Sequence, residues 1–343
     1  MKIGKKIATG LFMTTMTVAL FCGCGTSGQA DTGSENDKIK IVCASFPEYD
    51  WTRQIVGEEN ENIELTLIVN NGMDIHNYQP SVEDRVKIDD CDFIIYNGGA
   101  SEEWIEEAVE ESKKKPQMLS VMGLLEDDIV EEVVVEGMEV KEHVHEAGQE
   151  EAKEQETEHG HEHEDHEYDE HVWLSLKNAK KVVSHIAEKV ITLDSEQSAL
   201  YEANKNAYLE KLENLDASYE TAIEEAKGKT LLFGDRFPFC YLTKDYGLTY
   251  YAAFPGCSAE TEASFETIVF LADKIDEHKI PCILTIDGSD KTIAKSIQEN
   301  ISGEAEIKEL NSLQAVSETQ MAEDITYLSV MEENLETIKE ALQ

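Results

Sequence analysis

The chain has 343 residues, with 72 Asp and Glu against 29 Lys and Arg and a formal net charge of −43. Apolar residues make up 41%, enough to build real cores, so the chain is not disordered throughout. The charge opposes binding to phosphate backbones, which excludes nucleic acid as a partner and leaves small cations as the natural ligand class. A chain of this length usually makes about two domains.

Lys2, Lys5 and Lys6 precede an apolar run from Ile7 to Phe21. Its length and flanks suit a signal peptide rather than a transmembrane helix. The run ends in Phe21-Cys22-Gly23-Cys24, and small residues before a Cys at the end of a signal core resemble a bacterial lipobox. By that resemblance residues 1–23 are a signal peptide and Cys24 is the lipidated first residue of the mature protein. Residues 24–37 follow as a flexible, lipid-anchored tether rich in Gly, Ser, Thr, Asp and Asn. The expected location is the extracytoplasmic face of the cell membrane. Cys43, Cys91, Cys240, Cys257 and Cys282 then lie where disulfides are permitted. A Cys240–Cys257 bridge is allowed, although sequence alone decides no pairing. Isolated cysteines in strand-like runs read as buried apolar side chains. The lack of any CxxC pair argues against a thiolate zinc site.

From residue 38 onward, short β-branched runs alternate with helical patterns. Lys38–Ser45, Ile63–Val69, Phe93–Tyr96 and Met118–Val121 are predicted strands. Pro47–Val56, Pro80–Asp89 and Glu102–Lys115 are predicted helices. Such alternation argues for βα units around a parallel sheet. One long helix is expected from Ser195 to Lys227, where Leu200, Ala203, Tyr208, Leu212, Leu215, Tyr219, Ile223 and Ala226 form an apolar stripe. Asp194 or Ser195 can cap its start and Gly228 can end it. Strands are expected again at Leu231–Gly234, Thr249–Phe254, Cys282–Asp287 and Ala305–Leu310. Helices are expected at Pro238–Tyr246, Ser264–His278, Lys291–Asn300 and Gln320–Leu342. The architecture is therefore α/β: two βα lobes with parallel sheets, an N-terminal one at 38–193 and a C-terminal one at 229–343. A connecting helix at 194–228 joins them.

Residues 126–170 interrupt the alternation with 20 acids and 2 lysines, a net of −18. The segment 141–168 has too few apolar residues to bury a core and reads as a loop. Seven of the ten histidines fall within 29 residues: His143, His145, His159, His161, His163, His166 and His171. Imidazoles interleaved with carboxylates form a chelator suited to borderline metals such as Zn²⁺, so the first six are candidate auxiliary metal ligands. His76, in Gly72-Met-Asp-Ile-His-Asn-Tyr-Gln-Pro-Ser81, sits between a strand and a helix, and His171, in Asp169-Glu-His-Val-Trp-Leu174, also leads into a helix. Loop ends of βα units are where α/β proteins bind ligands. A carboxylate precedes each histidine and could orient its ring. His185 and His278 read as structural.

Residues 72–80 resemble the G-x-D-x-H-x-Y-x-P segment, and residues 169–174 the D-x-H-x-W-L segment, of the metal-binding lipoproteins of ABC importers. These are the cluster A-I, TroA-like solute-binding proteins of family 9. The acidic His-rich loop before the second motif resembles the zinc-importing branch. The resemblance spans about 38–343. It implies the helical-backbone TroA-like fold and a lipid-anchored monomer that binds Zn²⁺ and delivers it to an ABC transporter permease, with no reaction catalysed. It also implies one metal site fed by both lobes, with His76 and His171 from the first. Zinc members add a third His before Tyr-Gly-Leu. Here Tyr246-Gly247-Leu248 is present, but Phe233-Gly-Asp-Arg-Phe-Pro-Phe239 holds no His. Counting back places Arg236 at that position, and Arg does not ligate zinc. Asp235 is the expected third ligand. The fourth position falls near Asn311, a weak donor whose place water could fill; Glu260 and Glu262 could also contribute but read as surface acids. A carboxylate ligand favours Mn²⁺, which makes manganese the alternative cargo. A zinc hydrolase and a surface metal buffer or adhesin are the remaining readings, although no HExxH is present. Histidine ligation predicts that occupancy falls below about pH 6.

Overall fold

The computed structural model describes residues 38–57, 60–139, 168–258 and 262–343. The signal peptide, Cys24, the tether, Glu260 and the six auxiliary histidines of the acidic segment lie outside the described residues.

β1 (Ile39–Cys43), β2 (Ile63–Leu67), β3 (Phe93–Tyr96) and β4 (Gln117–Ser120) form one parallel sheet in the order β2-β1-β3-β4. β5 (Thr230–Phe237), β6 (Thr249–Pro255), β7 (Cys282–Thr285) and β8 (Glu306–Glu309) form a second in the equivalent order β6-β5-β7-β8. All four residues of β3 and all four of β7 are buried. Strands covered on both faces need such continuous apolar runs, and Phe-Ile-Ile-Tyr and Cys-Ile-Leu-Thr supply them.

The first sheet carries α1 (Phe46–Val56), α2 (Val82–Asp90), α3 (Glu103–Glu111) and the short α4 (Val121–Leu124). α5 (Leu176–Leu193) follows, started by Ser175, whose side chain accepts the N–H of Asn178. Ala179, Val182, Val183, Ile186, Ala187 and Val190 form its buried stripe. α6 (Ser198–Glu225) has 28 residues, or roughly 42 Å at the usual rise. α7 (Cys240–Tyr246), α8 (Phe265–His278), α9 (Thr292–Asn300), α10 (Glu318–Ala322) and α11 (Tyr327–Ala341) accompany the second sheet.

Three local expectations change. A separate 3₁₀ turn, Ser195–Gln197, precedes α6, and neither Asp194 nor Ser195 caps it. The Asp194 carboxylate instead accepts hydrogen bonds from Tyr201 at 2.8 Å and Asn62 at 3.1 Å. Tertiary partners there replace the local cap. The helix ends at Glu225, with Ala226 extended, before Gly228 is reached. The single helix expected over Gln320–Leu342 is broken at Asp324, whose φ is 58°. Thr326 then starts α11 with a reciprocal cap to Ser329.

α1 is bound to α11 through a buried carboxylate. Asp50 is fully buried, accepts the Tyr327 backbone N–H at 2.9 Å and pairs with Arg53 at 2.7 Å. Arg53 also donates to the Ile325 carbonyl at 3.0 Å. Trp51 meets Tyr327 edge-on, with ring centroids 5.1 Å apart. Removing one partner of such a pair strands the other. Asp50→Ala should therefore destabilise the protein by about 3 kcal/mol, read as a lower midpoint in urea unfolding.

Candidate metal centre

His76 lies in a 3₁₀ turn, Ile75–Asn77, after β2. Asp74 caps the turn, with Oδ1 accepting the His76 backbone N–H at 3.0 Å. His76 Nδ1 is 2.8 Å from Ser101 Oγ and 3.7 Å from Glu170 Oε2. Glu170 is held from two sides. The Ser101 N–H donates to its Oε1 at 3.1 Å, and the Asn97 side chain donates to its carbonyl at 2.7 Å. A Cβ on Gly99, whose φ is +84°, would lie 2.6 Å from Glu170 Oε1. Glycine is what lets this carboxylate approach the end of β3.

His171 is completely buried. Asp169 Oδ1 accepts both its backbone N–H, at 2.9 Å, and its Nδ1–H, at 3.0 Å. The surrounding segment, held by Asn97 after β3 on one side, is also bound to parts of the chain that accompany the second sheet. Tyr241 of α7 donates to the Asp169 carbonyl at 2.8 Å, and Trp173 Nε1 donates to the Ser312 carbonyl at 2.8 Å. Tyr327 donates to the Trp173 carbonyl at 2.6 Å.

The two rings meet at Nε2, 3.0 Å apart. A carboxylate can only accept, so the hydrogen-bond network assigns the proton of His171 to Nδ1 and a lone pair to Nε2. His76 is held neutral. Burial depresses its pKa to about 3, and neighbouring His171 adds to the effect. Two nitrogens bound tetrahedrally to zinc at about 2.0–2.1 Å stand about 3.3 Å apart. The observed pair needs an opening of only a few tenths of an ångström.

Among the described residues, the group of three side chains whose donor atoms lie within 4.8 Å of one another is His76, His171 and Cys257. Cys257 follows β6 as His76 follows β2, so both donors leave equivalent strands of the two sheets. A Cβ on Gly256 would meet the Phe237 carbonyl at 2.8 Å and His171 Cε1 at 3.1 Å. The cysteine loop therefore sits directly against the buried imidazole. Glu132 accepts the Cys257 backbone N–H at 2.9 Å. Burial and the nearby Glu132 carboxylate push the Cys257 thiol up, and burial pushes Glu132 up. Cys240 and Cys257 are both free thiols, so no disulfide joins them.

Asp235, expected as the third ligand, is not brought into this group. Its Oδ1 accepts the Arg236 backbone N–H at 2.9 Å, and its Oδ2 is buried without a partner. It lines a neighbouring cavity of about 350 Å³ together with Asp74, Arg236, Asp287 and Gln314. Arg236 makes an ion pair with Asp74 and donates to the Ser258 carbonyl at 3.3 Å. Asn311 serves a local turn, accepting the Leu313 N–H at 2.8 Å, and Glu262 is exposed. Cys257 was not among the expected ligands. The usable signal was a Gly-Cys pair at the end of a strand that repeats the role of β2.

The depressed His76 pKa moves the onset of proton competition at this ring below the ordinary histidine range. The folded ring takes its proton near pH 3, the unfolded one near 6.5. Between those values the unfolded chain holds the extra proton, so acidification costs the metal-free fold up to about 1.4 kcal/mol per pH unit at this residue. The contribution is complete above 6.5 and is lost as pH falls toward 3. Buried Glu48 and Glu102, both raised by burial, act with the opposite sign. A residue-specific probe is therefore needed. In ¹⁵N NMR of the metal-free protein, His76 should remain neutral at pH 5, and titration near 6.5 would contradict its burial.

A family model described as ZnuA, the periplasmic zinc-uptake complex component A, matches residues 41–341. The chain is 29% identical over 337 residues to the high-affinity zinc uptake system protein ZnuA of Bacillus subtilis, covering 97% of each. It is also 29% identical to the zinc-binding lipoprotein AdcA of Streptococcus pneumoniae, covering 98% of this chain and 61% of that longer one. The structure is similar to the Zn(II)-bound ZnuA-like domain of Streptococcus pneumoniae AdcA, with a TM-score of 0.66 and 26% identity over 89% of this chain and 99% of that one. Two parallel-sheet lobes, a long helix between them and a match across nearly the whole described chain place it: the protein belongs to the ZnuA family of zinc-uptake solute-binding components.

Proposed function

We propose that the protein is the extracytoplasmic zinc-binding component of an ABC importer, capturing Zn²⁺ and delivering it to the permease. The observation that carries this reading is the meeting of His76 and His171 at their Nε2 atoms, 3.0 Å apart, with oxygen partners behind both Nδ1 atoms. Neutral imidazoles held in this way are ready ligands for a borderline cation. The nearby acids Asp169, Glu170 and Glu132, with Asp74 paired to the neighbouring Arg236 guanidinium, favour positive charge in the site. The relatives named above are zinc proteins, which supports zinc over manganese as cargo.

Lipid attachment at Cys24 would keep the monomer beside the permease. The His-rich segment would serve as a collecting arm. Its last described residue on one side, Glu139, donates its N–H to the Ala253 carbonyl of β6 at 2.9 Å. On the other side, Tyr168 bridges to Glu131 only three residues before His171. Weak ligands tethered that close raise the local zinc concentration at the centre. Nothing in the donor set calls for a reaction, and the protein is read as a carrier rather than an enzyme.

His76→Ala should weaken Zn²⁺ binding by about 100-fold or more, as measured by competition with a chromophoric chelator. Deleting 141–167 should leave one tightly bound ion and remove the weaker ones. Loss of all tight binding in the deletion would reject the buried site. At equal free concentrations Zn²⁺ should displace Mn²⁺, and elemental analysis showing retained Mn²⁺ would reverse the choice of cargo.

A further inference from the structure

We infer that Cys257 is the third protein ligand of the metal, so that the ion is held by two imidazoles and one thiolate. The inference rests on the zinc-binding reading above and names the donor that completes it.

The geometry brings the sulfur to the pair. Its Sγ and the two histidine nitrogens lie within 4.8 Å of one another. A tetrahedral zinc with one bond of about 2.3 Å to sulfur and others of about 2.0–2.1 Å to nitrogen sets sulfur and nitrogen about 3.6 Å apart. A closing movement of at most about 1.2 Å reaches that arrangement from separations within 4.8 Å. Gly256 permits the approach, because any side chain there would strike the Phe237 carbonyl and the His171 ring.

Arg236 explains why the loop stays in place. It cannot ligate a cation, yet it is not idle. One guanidinium nitrogen pairs with Asp74, two residues before His76, and the other donates to the Ser258 carbonyl, one residue after Cys257, at 3.3 Å. The arginine thus bridges the two donor-bearing loops. The Asp74 carboxylate offsets much of its charge, although Arg236 still helps to disfavour the protonated His76 ring. Glu132 holds the same loop from the other side through the Cys257 N–H, at 2.9 Å.

A second feature points to a cation at this spot. Glu170 is only 6% exposed, and its Oε2 is without a hydrogen-bond partner, 3.7 Å from His76 Nδ1. A buried carboxylate oxygen left in that position is costly unless positive charge develops beside it. Metal on the far side of the His76 ring polarises the Nδ1–H toward this carboxylate and toward Ser101. As the metal–sulfur bond forms, the thiol passes its proton to water, and one proton leaves for each ion bound.

The test uses the reduced full-length mature protein with Zn²⁺ or Co²⁺ alone. X-ray absorption of the zinc form should contain a sulfur scatterer at about 2.3 Å. The cobalt form should show thiolate-to-metal charge-transfer absorption in the near ultraviolet. Both signatures should vanish in Cys257→Ser, with zinc affinity lowered by at least about tenfold. Tight zinc binding by the unmodified protein with only nitrogen and oxygen scatterers would overturn the inference and leave the zinc-binding reading intact. Absence of tight zinc binding would overturn both. Full affinity in Cys257→Ser with a large loss in Asp235→Asn would return the third position to the aspartate and also reject the inference. The spectroscopic measurements need no variant, so misfolding of Cys257→Ser leaves the inference open to refutation.

Discussion

Two imidazole nitrogens converge at 3.0 Å inside protein, and the rest of the molecule is arranged around keeping them there. Bare lone pairs repel, and solvated rings would drift apart. Here each ring is fixed from behind. Asp169 takes the Nδ1–H of His171, and Ser101 with Glu170 stands behind His76. Burial then works in favour of binding, because it depresses the His76 pKa to about 3 and keeps the ring neutral. The same burial leaves Glu170 Oε2 without a partner. The site is thus built at some cost in the metal-free state, which a divalent ion at the two Nε2 atoms would offset.

The scaffold contributes by repetition. Both sheets run second-first-third-fourth in strand order, so the loops after β2 and β6 occupy corresponding positions. One carries His76 and the other Cys257. His171 comes from neither sheet. It sits in the segment leading into α5, whose backbone is bonded to Tyr241, and through Trp173 to Ser312 and Tyr327. That segment joins the surroundings of both sheets, so a change in packing at either side reaches the buried imidazole. The Asp50 link between α1 and α11 reinforces the same junction.

Much of this was legible in the residues. The eight strands fall where β-branched runs alternate with amphipathic stretches, since a parallel sheet covered on both faces demands such runs. His76 and His171 stood out because each is preceded by a carboxylate and leads into a helix, His76 directly after a strand. The proposed third donor, Cys257, was not legible in the same way. Asp235 lies one residue from the expected position, but the bulge in β5 between Phe233 and Arg236 and the pull of Asp74 on Arg236 govern that stretch instead. The rule that zinc thiolates come in CxxC pairs applies to sites made by one local loop, whereas a lone thiol from a distant strand end escapes it. The caps of α6 and the break before α11 also depended on partners far away in sequence, Asn62 and Tyr201 for Asp194 among them.

By itself the sequence determined the βα alternation, the long helix and the two histidine loops. Each of these is written in local periodicity or in adjacent residues, and local physics is enough to produce it. Only the tertiary structure decided which side chains share one small volume. Donor geometry depends on how two sheets are packed and on which glycines let loops touch, and neither is a property of neighbouring residues. The net charge of −43 pointed only to cations in general. It is the convergence of His76 and His171, with Cys257 in reach, that turns a general affinity into a site.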